Sequence, residues 1–353
     1  MVEFLNRYVG LVKESTYGTD PGSGYIYGEV DDESFRHTYD LLTRQDMSRP
    51  IAAKSVTGTE RTEGGFNLAV QVDDFVGHVL YAFFPEDAVS TNQHTLSEPV
   101  LAASTPLAYP SFTFIVGRED AEHTYTGMVG QSLSISANIG EYVMMSAEFV
   151  GQAEYDTEVE IPDGAVTFDG AALDALYFAN GDVFFDDGSV DGTASAKVKS
   201  FSFDLNLNRD TDNAYALGNS TFTRAPPAQR REISGTIEFN QVIYAATKGT
   251  VASTATTAEP NYTSLVQPDG LKFVDGTNPV IQLVFNDEDD ADSLTINFYH
   301  VRFEAPEVNV SGRDTNTMTV NFVGLYDAST SGAAKAMDIV IDGTALSTNA
   351  YDL

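Results

Sequence analysis

The sequence predicts a mainly β protein built from two related halves, with a few helices. Three observations support this prediction: apolar and polar residues alternate over many short segments, similar segments recur about 170 positions apart, and one stretch has helical spacing. Hydrophobic residues make up 42% and charged residues 20% of the 353 positions, which are values typical of folded globular proteins. This length allows two domains, each with its own hydrophobic core.

The strand signals are clearest where the alternation is strict. Every second residue of the segment Phe201 to Asn208 is apolar, and in Ser132 to Ala137 serine alternates with Leu133, Ile135 and Ala137. Because successive side chains of a strand point to opposite faces, each segment is predicted to be a strand with one buried face.

One segment has the spacing of a helix instead. Within Asp73 to Phe84, the apolar residues Phe75, Val79 and Phe83 recur every fourth position, and Pro85 follows. Residues four positions apart lie on one face of an α-helix, and proline ends helices. The segment is therefore predicted to be an amphipathic helix.

The two halves share an ordered series of similar segments. The matches that lie 173 positions apart are Met145 with Met318, Ala147 with Val320, Phe149 with Phe322, Gly151 with Gly324, Ile135 with Val308, and Ala137 with Val310. Residues 110–116 match 279–285 at 169 positions, and residues 64–68 match 235–239 at 171 positions. The four-residue difference lies in acidic turn loops, where an insertion costs least. Such self-similarity predicts a duplicated domain.

Duplication divides the chain into four predicted parts. Residues 1–158 form the first β domain, residues 159–194 a Gly- and Asp-rich connector, residues 195–330 the second β domain, and residues 331–353 a C-terminal tail.

The charge of the chain is far from balanced. Fifty-two acidic residues against 19 basic ones give a net charge of −33, and the excess runs along the whole chain. Such a surface repels nucleic acid and anionic membranes, because binding to either depends mainly on cationic side chains. Two interpretations of the acidity stay open: adaptation to high salt, where screening removes self-repulsion, and an acidic wall with a function.

Nothing in the sequence predicts a catalytic, cofactor or metal site. The chain has no cysteine, and its five histidines, His37, His78, His94, His123 and His300, are isolated from one another. The spacings of nucleotide-binding loops, nucleophile elbows and zinc-protease helices are absent. The first ten residues lack the apolar core of a signal peptide, and no apolar run is long enough to span a membrane. We expect a soluble protein made in the cytoplasm, without enzymatic activity, cofactor or membrane contact.

A phrase near the start resembles a known family. Residues 9–21 contain Lys-Glu-Ser-Thr-Tyr-Gly-Thr, which is similar to the opening of the tail tube proteins of long-tailed, siphovirus-like phages and archaeal viruses. The ends of both halves, residues 147–152 (AEFVGQ) and 320–327 (VNFVGLYD), resemble the closing hairpin strand of that family, which tends to finish on Phe-x-Gly. Together with the predicted helix, the resemblance touches most of the chain. The acidic composition favours a virus of a halophilic archaeon.

The resemblance implies a β-sandwich flanked by a helix, whose inner strands join those of neighbours in a closed ring barrel. Stacked rings would form the tube that conducts viral DNA without binding it specifically, and other tail proteins would lie at the tube ends. Most family members carry one domain per chain and six chains per ring. Two domains per chain imply a homotrimeric, pseudo-hexameric ring in the virion tail, assembled in the host cytoplasm, and a homohexamer stays an alternative. Four strands from each of six domains would close a barrel of about two dozen strands, wide enough for an aqueous channel.

In this arrangement each closing hairpin has a core face and a face toward the channel or a neighbour. The predicted core anchors are Met145, Ala147, Phe149, Met318, Val320 and Phe322. The predicted channel- or neighbour-facing residues are Ser134, Ser136, Ser146, Glu148, Asn309, Ser311, Thr317, Thr319 and Asn321. Because side chains alternate strictly along a strand, a shift of one residue would exchange the two faces.

Two other functions stay open at this point. One is a different virion or cell-surface β-sandwich protein, such as a decoration or adhesion protein, which would keep the repeat without needing rings. The other is a β-sandwich hydrolase of a halophile, which would need a carboxylate site that the sequence does not reveal.

Overall fold

The structure is a computed structural model that describes residues 7–45, 47–48, 50–51, 54–99, 109–118, 121–157, 166–168, 173–185, 197–241, 272–274, 280–289, 291–309, 316–325 and 335–351. Strands dominate these residues, so the prediction of a mainly β protein is confirmed. One α-helix and two short 3-10 helices, Phe178–Asn180 and Asp212–Ala214, complete the secondary structure of the described part.

The strands are numbered in chain order. Those of the first half are β1 (Arg7–Lys13), β2 (Ile26–Gly28), β3 (Asp32–Glu33), β4 (Arg36–Arg44), β5 (Lys54–Ala69), β6 (Glu86–Ser90), β7 (Gln93–Ser97), β8 (Phe112–Arg118), β9 (Ala121–Asn138), β10 (Met144–Gly151) and β11 (Ala153–Thr157). Those of the second half are β12 (Gly181–Phe185), β13 (Val198–Asn206), β14 (Glu232–Phe239), β15 (Lys272–Val274), β16 (Ile281–Asn286), β17 (Ser293–Phe298), β18 (His300–Phe303), β19 (Glu307–Asn309), β20 (Thr317–Gly324) and β21 (Met337–Asp342). The helix α1 (Asp74–Tyr81) lies between β5 and β6.

These strands form a 15-stranded sheet and a six-stranded sheet. Within the larger sheet, an antiparallel ladder runs β4–β5–β10–β9–β13–β14–β20, with β3 beside β5, and with β18 and β19 beside β20. We call this ladder the long sheet. The outer layer consists of β1, β8, the first part of β9 and β11 in the first half, and of the six-stranded sheet β12–β16–β17–β21–β7–β6.

Aromatic side chains join the two layers in each half. The ring centroids of Phe114 in β8 and Phe149 in β10 are 4.8 Å apart, and those of Phe298 in β17 and Phe322 in β20 are 5.2 Å apart. All four side chains are buried and belong to one continuous hydrophobic core. Each half is therefore a sandwich of the long sheet and an outer layer.

The two halves repeat one strand order. In the long sheet β4–β5–β10–β9 is followed by β13–β14–β20–β19, and in the outer layer β1–β8–β9–β11 matches β12–β16–β17–β21. The register repeats as well: Met145 lies opposite Leu68 and Ile135, whereas Met318 lies opposite Phe239 and Val308. Leu68 and Phe239 are 171 positions apart, and Ile135 and Val308 are 173 positions apart. The residues that pair with Met145 and with Met318 therefore correspond to each other in the two halves.

Two of the predicted parts contribute strands to the outer layer. The predicted connector, residues 159–194, contains β12, and the predicted tail, residues 331–353, contains β21. In addition β7, from the first half, pairs with β21. A division of the chain that follows strand pairing would place β12 and β21 with the second half.

The predicted helix over Asp73–Phe84 is present but shorter, because α1 ends at Tyr81. Asp73 is the N-cap, and its Oδ1 accepts a hydrogen bond from the backbone N–H of Val76 at 2.8 Å. Phe83 and Phe84 follow the helix and are fully buried. In the described ranges no helix has the length and apolar character needed to cross a bilayer.

Candidate assembly surface

The long sheet has one face in the core, and the six predicted core anchors lie on it. Met145, Ala147, Phe149, Met318, Val320 and Phe322 are all buried. Phe149 packs against Phe66 and Phe114, and Phe322 packs against Phe201 and Phe298. The apolar face of each closing hairpin therefore faces the outer layer of its own half.

The predicted channel-facing residues alternate with these anchors. Ser134, Ser136, Ser146, Thr317, Thr319 and Asn321 are half-buried, and Glu148 is exposed. The backbone of Asn309 belongs to β19, but its side chain and the whole of Ser311 lie outside the described residues. The structure thus gathers the described members of the set on the face of the long sheet away from the core, which we call the open face.

The middle of the open face carries short hydroxyl side chains. Ser134 lies opposite Ser146 across β9 and β10, and Ser136 lies opposite Ser202 across β9 and β13. Asp204 lies on the other side of Ser134. Small neutral side chains therefore surround the Asp204 carboxylate where the two halves meet.

Glutamates and arginines lie close together on the first half of the open face. Partial burial and the nearby Glu63 carboxylate raise the pKa of Glu148 above its ordinary value. Burial would also raise the pKa of Glu63, but hydrogen bonds from Arg36 and Arg61 outweigh this effect and lower that pKa. The Nη2 atom of Arg36 lies 2.7 Å from Glu63 Oε1, so this arginine is held by a carboxylate in the isolated chain.

The two halves are joined by backbone pairing and by a loop. Strand β9 pairs with β13 over residues 132–138 and 200–206. Beyond β13, the loop side chain of Phe222 packs with Val129 and Val150 of the first half in a separate small hydrophobic cluster. The Nε2 atom of Gln152 donates a hydrogen bond to the backbone oxygen of Phe222 at 2.6 Å. A loop of the second half is thus seated on the first half.

The Lys-Glu-Ser-Thr-Tyr-Gly-Thr phrase surrounds a buried carboxylate. Glu14 accepts hydrogen bonds from Gly18 N at 2.8 Å, Ser111 Oγ at 2.6 Å, Thr113 Oγ1 at 2.8 Å and Gly127 N at 2.7 Å. Buried charges are tolerated when their hydrogen-bonding capacity is filled in this way. Glu14 therefore fastens the phrase to β8 and β9.

The two sequence phrases that carried the resemblance contact each other. Gly18 has φ +72°, and a Cβ atom at this position would lie 1.8 Å from Oε1 of Gln152. Gln152 is the residue that closes the AEFVGQ phrase. A side chain at position 18 would therefore both strain the backbone and displace Gln152.

The long sheet ends in strands that have no second strand partner within the described ranges. One edge is formed by β3 and β4, which pair only with β5; at the other edge β19 pairs only with β20, while β18 beside it also pairs with β15. The hairpin of β4 and β5 extends beyond the sandwich with large exposed apolar side chains, namely Tyr39, Leu41, Leu42 and Val56. Unpaired strand edges are the usual place at which sheets join.

The sequence did not predict the edge strands β3 and β4. Residues 36–44 are almost entirely exposed, so they lack the apolar alternation that marks a half-buried strand. The run of polar β-formers in residues 54–63 was the one available signal for their partner strand. In the described part of the chain no group of three or more histidine or acidic side chains is arranged to hold a metal ion.

A comparison with protein families identifies a relationship that covers most of the chain. A family model described as phage tail tube protein matches residues 5–324. No protein of curated function matches the sequence significantly.

Proposed function

The chain belongs to the phage tail tube protein family, and from this premise we propose that it is the major tail tube subunit of a long-tailed virus, assembling into stacked rings that conduct viral DNA. Members of this family are structural proteins of the virion tail, so the chain is not an enzyme and the hydrolase alternative is set aside. The observation that carries the proposal is the long sheet, in which one strand order occurs twice between two unpaired edges.

The two edges of the long sheet allow neighbouring chains to join in a ring. The two edges are different strands, so a contact between them is head-to-tail and can be repeated from chain to chain. If the rotation from chain to chain completes a circle, the sheets form a barrel and the edges that pair are no longer exposed. With two tube domains per chain, three chains supply six domains, and a ring of six chains is the alternative.

The duplication itself is part of the proposal. The matching strand order and the matching register of Met145 and Met318 support two copies of one domain, joined by the β9–β13 pairing. The outer layer then encloses the ring from outside, and the open face of the long sheet lines the channel.

The open face has the character that a DNA conduit needs. Each Lys or Arg that pairs with a phosphate releases counterions and adds affinity, which would slow a moving duplex. Serines such as Ser134 and Ser136 are neutral, and Glu148 repels phosphate. A wall of this kind guides DNA without retaining it.

The net charge of −33 supports a high-salt setting, such as a virus of a halophilic archaeon, with assembly in the host cytoplasm. At 1 M salt the Debye length is about 3 Å, so carboxylates on neighbouring subunits barely repel each other. At about 0.1 M salt it is about 10 Å, and the repulsion between subunits weakens assembly.

Electron microscopy of the purified protein at molar salt tests this function. The proposal expects rings or tubes with an open bore, and a parallel sample at low salt should contain fewer of them. Particles without a bore under both conditions would instead favour a decoration or adhesion protein.

A further inference from the structure

The junction between the two halves shows how one copy of the domain joins the next. Strands β9 and β13 are antiparallel, with Ile135 opposite Phe203 on the core face and Ser134 opposite Asp204 on the open face. Ile135 and Phe203 are both buried, so the junction continues the core as well as the backbone ladder. It is therefore a template for any further junction between such domains.

Strand β19, the free edge of the second half, occupies the position that β9 has in the first half. Glu307 of β19 lies opposite Thr319, as Ser134 of β9 lies opposite Ser146. Glu307 follows Ser134 by 173 positions, and Thr319 follows Ser146 by the same number. Glu307 is thus the counterpart of Ser134.

Strands β3 and β4, the free edge of the first half, occupy the position that β13 has in the second half. Arg36 lies opposite Glu63 of β5, and Asp204 lies opposite Ser234 of β14, which is the strand that corresponds to β5. Arg36 is thus the counterpart of Asp204.

We infer that the β3–β4 edge of one chain pairs antiparallel with β19 of a second copy of this chain, in the register that sets Arg36 opposite Glu307. The inference rests on the proposed ring and names the residues through which its subunits join. It follows from the template, because Asp204 and Ser134 are opposite each other inside the chain and Arg36 and Glu307 are their counterparts.

The charges at these two positions are complementary. The Arg36 side chain is 69% exposed, and Glu307 is exposed on the opposite edge. Opposite charges directly across two strands stabilise the pairing. Inside the chain the same positions hold Asp204 and Ser134, so the charge pair is specific to the free edges.

Apolar residues near β19 are less covered than their counterparts near β9. Ile135 is buried with 2% exposure, but its counterpart Val308 is only half-buried. Val150 is buried with 2% exposure beneath the loop of Phe222, whereas its counterpart Val323 is 38% exposed. These positions are covered in the first half because the second half lies beside it, and a second copy would cover them in the same way.

The β3–β4 edge is protected in the isolated chain by charged side chains. Ser34 N donates to Gly65 O, so the backbone groups of Phe35 point away from β5. Phe35 N donates to Glu33 Oε2 at 3.0 Å, and Arg118 Nη2 donates to Phe35 O at 2.5 Å. Charged residues that cap an edge are a known protection against uncontrolled pairing. In the inferred register the backbone of Val308 replaces Glu33 and Arg118 as the hydrogen-bond partner of the Phe35 backbone.

Engineered disulfides test the register, since the chain has no native cysteine. Residues directly opposite each other have Cα atoms about 4.5–5.5 Å apart, within the range of a disulfide, whereas diagonal neighbours are about 7–8 Å apart. The Arg36→Cys/Glu307→Cys variant is therefore expected to form covalent oligomers under oxidation at molar salt. Denaturing, non-reducing electrophoresis should show a ladder that ends at the number of chains in one ring.

Matched variants distinguish the possible outcomes. Ser34→Cys/Glu307→Cys and Thr38→Cys/Glu307→Cys are the diagonal controls and should cross-link at least tenfold more slowly. Asp204→Cys/Ser134→Cys is the positive control, which should close within one chain.

Rings in the microscope with faster linkage in a diagonal variant would overturn the register and leave the tube function standing. Linkage of Arg36→Cys to Glu307→Cys within a monomer would overturn the inference, and the absence of rings in the unmodified protein would overturn the proposed function.

Discussion

Phe203 and Ile135 lie directly opposite each other where the second half of the chain meets the first, and both are buried. One residue belongs to β13 and the other to β9, so this pair of strands continues the core from one half to the other, as β7 and β21 do in the outer layer. In a tail tube protein this internal joint has the form that a joint between neighbouring subunits would need.

The core face of the first hairpin can be tested by truncation. Phe149 is almost fully buried and packs against Phe66, Phe83 and Phe114. Phe149→Ala is expected to lower the free energy of unfolding by about 3–5 kcal/mol, because it leaves a cavity that the sandwich cannot fill. Chemical denaturation at constant molar salt measures the change. Tyr142→Ala, at a residue with 56% exposure, is the control and should change stability little.

Much of this core was predictable from the sequence, and the reason is geometric. Alternation alone places Phe201, Phe203 and Leu205 on one face, and the structure buries all three. The helix was predictable from the spacing of Phe75 and Val79, although Phe83 continues the spacing beyond the end of α1.

The unpredicted parts depend on long-range contacts or lack a buried face. The segment that contains β12 is rich in Gly and Asp, and β12 becomes a strand by pairing with β16, about 100 residues later. Likewise β7 pairs with β21, across more than 240 positions. The edge residues Arg36, Tyr39 and Leu41 face solvent, so no periodic pattern identifies their strand.

The buried carboxylate of the Lys-Glu-Ser-Thr-Tyr-Gly-Thr phrase gives a second prediction. In Glu14→Gln an amide NH₂ replaces one oxygen and meets donors such as Gly18 N or Gly127 N, which cannot turn away. An unsatisfied buried donor costs about 1–3 kcal/mol, so the free energy of unfolding should fall by that amount. Thermal and chemical unfolding measure it. Glu232→Gln, at an exposed position, is the matched control, and an equal loss in both variants would contradict the role of Glu14.

Alkaline pH should destabilise the fold in a way that depends on Tyr8. Burial and the hydrogen bond to Glu122 raise the pKa of Tyr8 above its ordinary value of 10.0. The unfolded chain therefore loses this proton first as pH rises, and the stabilisation, complete below about pH 10, is lost above it.

The melting temperature measured between about pH 8 and about pH 11.5 at fixed salt checks this dependence. Tyr8→Phe is expected to melt lower at neutral pH, because Glu122 loses a donor, but to lose less stability as pH rises. Tyr155→Phe, at an exposed residue, is the control and should follow the unmodified protein. An unchanged slope in Tyr8→Phe would refute the assignment.

The charge of the proposed channel wall can be reversed at one position. Glu148 is exposed on the open face, so Glu148→Lys should leave the rings intact and place a cation in the bore. Assembled tubes of this variant are expected to retain duplex DNA, with an affinity that falls as salt increases.

Asp182→Lys supplies the matched control, because Asp182 is exposed on β12 in the outer layer. DNA retention measured by co-sedimentation should rise in Glu148→Lys and much less in Asp182→Lys. Equal retention in both variants would mean that Glu148 does not face the path of the DNA.

The mass of a single ring at molar salt tests the central claim most directly. Native mass spectrometry or mass photometry of rings released from tubes is expected to give three chain masses, because the proposed duplication gives each chain two tube domains. Six chain masses would contradict the trimeric ring, and a stable monomer at molar salt would contradict assembly through the two free edges of the long sheet.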